Sequence, residues 1–216
     1  MFTSLFKDMR LEKSHVTSVT PPKSSILNYV NIDDTPFIKN IDEIDLISSI
    51  NGLSIEEIES RAKPNRFAAS GFLGNDEKFL DVIKSDWETV LKHNTTNQVL
   101  AKHLYNIIKL ADEAKNTPAI IEYNSIKYSV IILLTRGLQY DLFSPKAEVE
   151  IDQDCNVETP SVWNDDIIIE NLNNNTKARL TTGSLSYIHY FGFYEGGKEQ
   201  NIYRNAPENL IKLLEL

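Results

Sequence analysis

A histidine, a glutamate and an arginine lie close together near the C-terminal end of this chain: His189, Glu195 and Arg204. Histidine and a carboxylate are the usual general acid–base pair, and an arginine is a fixed cation for an oxyanion or phosphate. Tyr187, Tyr190, Tyr194 and Tyr203 are interleaved with them, with Gly192, Gly196 and Gly197 between. These three residues are the catalytic candidates. The same residue types also do structural work: tyrosines bury their rings and wet their hydroxyls, and a Glu195–Arg204 ion pair would fix a loop. No catalytic spacing is recognisable, so anchoring of the segment is the first expectation. Ligand-binding candidates are Arg136, Gln139 and Asp141, at the exit of the apolar run Val130 to Leu134, together with Tyr194 and Tyr203.

Other patterns fail on inspection. Gly196-Gly197-Lys198-Glu199 lacks the first glycine and the Ser/Thr of a phosphate loop. Asp152, Asp154 and Asn156 begin like a calcium loop, but Val157 stands where glycine is needed and Trp163 where glutamate is needed. The histidines are His15, His93, His103 and His189, none spaced as a zinc pair, with His93 and His103 expected at the surface of a helical segment. Cys155 sits among acids, which raise a thiol's pKa. No metal and no cofactor is expected.

The chain has 216 residues, 41% hydrophobic and 25% charged, with a net charge of −9. That composition supports a buried core and argues against binding a nucleic-acid backbone, which calls for a basic face. From Asp141 to Asn175 nine acids (Asp141, Glu148, Glu150, Asp152, Asp154, Glu158, Asp165, Asp166, Glu170) face Lys146 alone. Such a segment is a solvated edge or a docking surface for a basic partner. A single cysteine, no apolar leader at Met1 to Val16 and no long apolar run are expected of a cytoplasmic protein without a membrane span.

The elements that must position these residues follow from periodicity. Residues 1–50 lack a period and carry Pro21, Pro22 and Pro36, so an extended or partly disordered arm is expected, followed by one domain over 51–216. Ser54 to Glu57 is a capping box, and Pro64 limits the helix at about Ala62. Ser70 to Gly74 should tuck Phe72 and Leu73 inward, with both glycines at positive φ. Two amphipathic helices follow, Asp76 to His93 (Phe79, Leu80, Ile83, Trp87, Val90, Leu91) and Thr96 to Lys115 (Val99, Leu100, Leu104, Ile107, Ile108, Ala111). Their short link predicts an antiparallel helical hairpin. Ala119 to Tyr123 and Ile126 to Thr135 form a β-hairpin across Asn124-Ser125. Asp166 to Leu172 and Thr176 to Thr181 form another, and Glu148 to Ile151 adds an edge strand. Ser184 should cap a helix from Leu185 to Phe191 that Gly192 ends, and Pro207 opens a closing helix. The class is α+β: a helical hairpin, then an antiparallel sheet of four to six strands, then a short C-terminal helix.

Two segments, Ser70-Gly71-Phe72-Leu73-Gly74 and Gly192-Phe193-Tyr194-Glu195-Gly196 followed by Tyr203, Arg204 and Pro207, resemble a group of uncharacterised bacterial proteins. The stretch Arg136 to Gln139 is similar to theirs as well, so the resemblance spans about Pro64 to Leu216. That group often carries histidines just before the terminal segment, where this chain has Ser186 and Phe191 and only His189. The resemblance carries over no activity. The sequence reading is a non-enzymatic binding protein that docks a basic partner through 141–175. Beside it stand a small hydrolase-like enzyme using the C-terminal His/Glu/Arg cluster, and a secreted effector or toxin-neutralising protein.

Overall fold

The computed structural model describes residues 27, 30, 32–64, 71–114, 118–144, 150–151, 157–158, 162–196 and 202–216. The side chains of 134–140, 150–151, 157–158 and 162–164 lie outside that description.

A 3-10 helix, Ile41–Leu46, leads through the two-residue strands β1 (Ser49–Ile50) and β2 (Leu53–Ser54) into α1 (Ile55–Ala62). Ser54 accepts from the Glu57 amide while the Glu57 carboxylate accepts from the Ser54 amide, so the capping box forms as its sequence predicts. After Pro64 the chain turns back. Gly71, at φ +61°, lies against the backbone of Ala62, Lys63 and Pro64, where any side chain would collide. That contact lets the Phe72 and Leu73 amides donate to the Ala62 carbonyl and buries both side chains. Gly74 is not among the residues at positive φ, contrary to expectation, so one glycine makes the turn.

Helix α2 (Phe79–Lys92) buries Phe79, Ile83, Trp87 and Val90, and α3 (Asn97–Ala114) buries Leu100, Leu104, Ile107, Ile108 and Ala111. Leu91 and Val99, assigned to those faces by spacing, are exposed. The two helices follow one another across a short turn but do not pack along their lengths. Helix α3 lies on the sheet and on the later α4, while α2 lies against the 3-10 helix and the last helix. Phe79, Ile83 and Trp87 of α2 enter one core, and Val90 at its end joins the face of α3 in the other.

The main sheet has the order β3-β4-β7-β8, antiparallel throughout: Ala119–Tyr123, Ile126–Tyr140, Val162–Asn171 and Lys177–Leu180. Asn124 and Ser125, joining β3 to β4, both take positive φ (51° and 64°), the mark of a type I′ turn whose twist matches the strands. The expected edge strand instead forms a separate pair, β5 (Glu150–Ile151) with β6 (Val157–Glu158).

Helix α4 (Thr182–Phe191) is buried on nearly every side. Its N-cap is Thr181, and Ser184 is the third residue of that capping box, so the helix starts a turn earlier than Ser184 suggested. Gly192 ends it at φ +65°. The closing helix α5 (Pro207–Leu214) opens on proline. Helix α4 separates two cores. Leu185 and Ile188 join the sheet face, α3 and α5. Tyr187 and Phe191 join the 3-10 helix, α1, α2, Leu142 and Phe143. Leu27 and Val30 enter the first core, and Ile38, Ile44 and Ile50 the second. The architecture is α+β, with helices, an antiparallel sheet and a short C-terminal helix.

Candidate functional site

Of the three catalytic candidates, Glu195 and Arg204 lie in the connector that leaves α4 and His189 in the last turn of α4 itself, and each meets a different partner. Burial around it is dense. Phe79, Phe143, Tyr187, Phe191 and Phe193 form one aromatic cluster, with Phe79 to Phe193 and Phe143 to Tyr187 both 5.1 Å apart and edge-on. Trp87 donates its indole N–H to the Phe191 carbonyl at 3.1 Å. The Gly192 Cα lies against Trp87 and Asn97. The backbone is thereby pinned at the helix exit before any polar group is placed.

Arg204 is the anchor of the connector's far end. Its guanidinium forms a two-pronged pair with Asp86 of α2, Nη1 to Oδ2 at 2.6 Å and Nη2 to Oδ1 at 2.7 Å. It also donates to the Glu195 carbonyl. Both partners are withdrawn from water, with side-chain exposures of 9% and 4%. Burial alone would lower the Arg204 pKa, but Asp86 outweighs it and the net shift is upward. The expected Glu195–Arg204 ion pair is therefore replaced: Arg204 takes the Glu195 backbone and the Asp86 carboxylate. Glu195 sits at φ 61° with its carboxylate turned toward the Ser184 hydroxyl at 3.3 Å, in the first turn of α4.

His189 faces elsewhere. It lies in the last turn of α4, buried, and its Nε2 donates to the Asp34 carbonyl at 2.8 Å. Tyr190 donates to the Asp34 carboxylate at 3.2 Å, and its carbonyl accepts the Ile38 amide. His189 and Tyr190 thus clamp the segment 34–38 onto α4. His189 and Glu195 engage opposite ends of the helix, and His189 and Arg204 share no partner among the described residues.

The ligand-binding candidates divide the same way. Tyr194 is buried and donates to the Asn97 side chain at 2.6 Å. Burial holds its pKa well above 10.0, with Asp86 adding to the shift. Tyr203 stacks on Arg179 at 5.1 Å, and Arg179 in turn pairs with Asp166. Asp141, just past β4, accepts the Phe143 amide at 3.0 Å, and burial raises its pKa against that bond and one from Tyr187. Arg136 and Gln139 lie within β4 rather than at its exit, where the β4–β7 register shifts between Leu134 and Gln139. Their side chains fall outside the described residues.

The acidic segment is largely spent where it is described. Asp165 is buried and accepts the Thr182 amide and hydroxyl at 2.8 and 2.7 Å. Asp166 is buried against Arg179, and Glu170 pairs with Lys177 at 3.2 Å. Glu148, Asp152, Asp154 and Cys155 lie outside the described residues, as do the side chains of Glu150 and Glu158. His103 is half-buried edge-on to Tyr123 rather than at the surface, and burial lowers its pKa.

An open cleft of about 270 Å³ does border Arg204. It is lined by Asp76, Glu77 and Lys78 just before α2 and by Asp81, Val82, Ser85 and Asp86 within it. Carboxylates outnumber cations there, and the Arg204 guanidinium is already paired with Asp86. Among the described residues no cluster of His, Cys, Asp or Glu is placed to hold a metal ion, and no helix is long and apolar enough to cross a membrane. Asp86 and Asn97 carry the site and escaped the sequence reading. The signal was there for Asp86: an acid between Ile83 and Trp87 on the apolar face of α2. No family model matches the chain, and no curated protein or solved structure matches it.

Proposed function

We propose that the chain is a non-enzymatic binding protein for a basic partner. One observation carries the reading: the histidine, carboxylate and guanidinium of the C-terminal cluster are each held by a different partner. His189 holds Asp34, Glu195 faces Ser184 and Arg204 is locked to Asp86. A reaction centre needs its nucleophile, base and oxyanion donors to converge on one reacting atom, and here they diverge.

The net charge of −9 favours a basic partner, because a summed field of one sign raises the encounter rate with the opposite sign. The described acids of 141–175 are committed internally. Among the described residues, exposed carboxylates such as Asp42, Glu56, Glu57, Asp76, Asp81 and Glu88 supply steering charge. Capture onto the immobilised full chain, run at low and high salt beside an Asp76→Lys/Asp81→Lys variant, tests the reading. The expected outcome is a basic protein retained at low salt, released at high salt and weakened by the variant. Turnover of a small substrate that His189→Gln abolishes in a folded protein would contradict it.

A further inference from the structure

The main sheet ends in two edges, and they are treated differently. On β8 the Asn209 amide donates to the Lys177 carbonyl at 2.9 Å and the Asn205 amide to the Arg179 carbonyl at 2.6 Å. That edge is covered by side chains from the approach to α5 and from α5 itself. Capping a free edge in this way is a common protection against unwanted strand pairing.

On β3 the register decides which backbone groups are free. A two-residue turn makes Tyr123 and Ile126 a hydrogen-bonded pair, so Ile121 and Ala119 also face β4. The Lys127 carbonyl confirms the alternation, since it turns away from β3 to accept the Leu172 amide at 2.9 Å. Ile120 and Glu122 therefore aim their N–H and C=O groups outward, and among the described residues nothing pairs with them. Ile120 is also 60% exposed. Beside this edge α3 ends with Asp112 and Glu113 and no basic residue in its last turn. The negative end of the α3 dipole adds negative potential there, and Glu122 is exposed on the strand, with Lys127 its neighbour on β4.

We infer that β3 is the docking edge, where an extended segment of the basic partner adds to the sheet as a fifth strand. The inference rests on the function proposed above. Backbone pairing to Ile120 and Glu122 supplies affinity, and alternate side chains supply choice. On the face that carries Ile120 and Glu122, the segment sets an apolar residue beside Ile120. Two positions along, it sets a lysine or arginine beside Glu122. A second copy of the chain fits less well, because it brings another charge of −9 and another Glu122 to the seam.

The test is an NMR titration of the labelled full chain with a short blocked peptide of repeating Val-Thr-Lys-Thr, which sets valine and lysine two positions apart on one face, beside its counterpart with glutamate for lysine. The lysine peptide is expected to shift the Ile120 and Glu122 amides and slow their exchange, leaving Ile121 and Tyr123 as they were. Ile120→Pro removes an outward donor without touching the ladder, and should weaken binding tenfold or more. Glu122→Lys should reverse the preference between the peptides, and it decides the matter if the proline variant does not fold. Binding that leaves these amides unmoved, equal binding by the folded proline variant, or no binding overturns the proposal. So does a peptide-free dimer whose Ile120 and Glu122 amides are already protected. Salt-sensitive capture that persists with the β3 amides unmoved refutes strand addition alone. Loss of both refutes the basic-partner reading as well.

Discussion

Arg204 shows how little a residue's type says about its use. Its partner is Asp86, 118 positions away, and both are buried. Removing one member of such a pair leaves an uncompensated buried charge and costs about 3–5 kcal/mol, enough to consume much of a domain's stability. The sequence displayed His189, Glu195 and Arg204 as a cluster, yet Asp34, Ser184 and Asp86 decide what they do. Those partners lie on other elements, and no local spacing reveals them. Asp165 offers a second case at this scale. Burial raises its pKa above the ordinary 3.8, against the opposing bonds from Thr182. A carboxyl raised in the folded state favours folding while protonated, so its contribution is full below 3.8 and fades as pH climbs through the raised value. Relative to wild type, Asp165→Asn should therefore gain stability as pH rises through the acid range and then level off. Urea unfolding of both proteins across that range measures the difference. The loss of one acceptor for Thr182 offsets the curve without flattening it, so a pH-independent difference would contradict the assignment.

The elements themselves were legible wherever a local rule governs them. The Ser54 capping box, the Asn124-Ser125 turn, Gly192 after α4 and Pro207 before α5 all act over a few residues, and all appear. What failed was the choice of neighbour. A short turn between α2 and α3 suggested that they pack together, but only Val90, next to the turn, shares the core of α3; Phe79, Ile83 and Trp87 go to the second core, and α3 lies on the sheet. Gly192 joins the local and tertiary levels. Its positive φ ends α4, and its bare Cα admits Trp87 and Asn97. Gly192→Ala adds the left-handed penalty to an overpacking penalty, a loss of roughly 2–5 kcal/mol. Denaturant unfolding should show a lower midpoint with an unchanged slope. A variant as stable as wild type would mean that Trp87 and Asn97 yield without cost.

At the scale of the molecule, two cores share the buried helix α4, and the connector beyond it ties both to α2. Phe193 donates to the Tyr187 carbonyl at 3.1 Å, Gly196 to Phe72 at 2.6 Å, and Arg204 closes onto Asp86. Phe193, Gly196 and Arg204, so bound, are part of the frame, whereas lids and binding loops are drawn from the low-stability end of a structure. Composition suggested one acidic globular unit. It could not indicate that the acids described between 141 and 175 would be committed internally, because pairing such as Asp166 with Arg179 depends on strand register. Native-state hydrogen exchange on the Gly192, Phe193 and Gly196 amides tests the central claim most directly. If the C-terminal cluster is a lock, these amides exchange only through global unfolding, with the same free energy as the core strands β4 and β7. Exchange through a local opening well below that free energy would show a working loop instead, and would contradict the account.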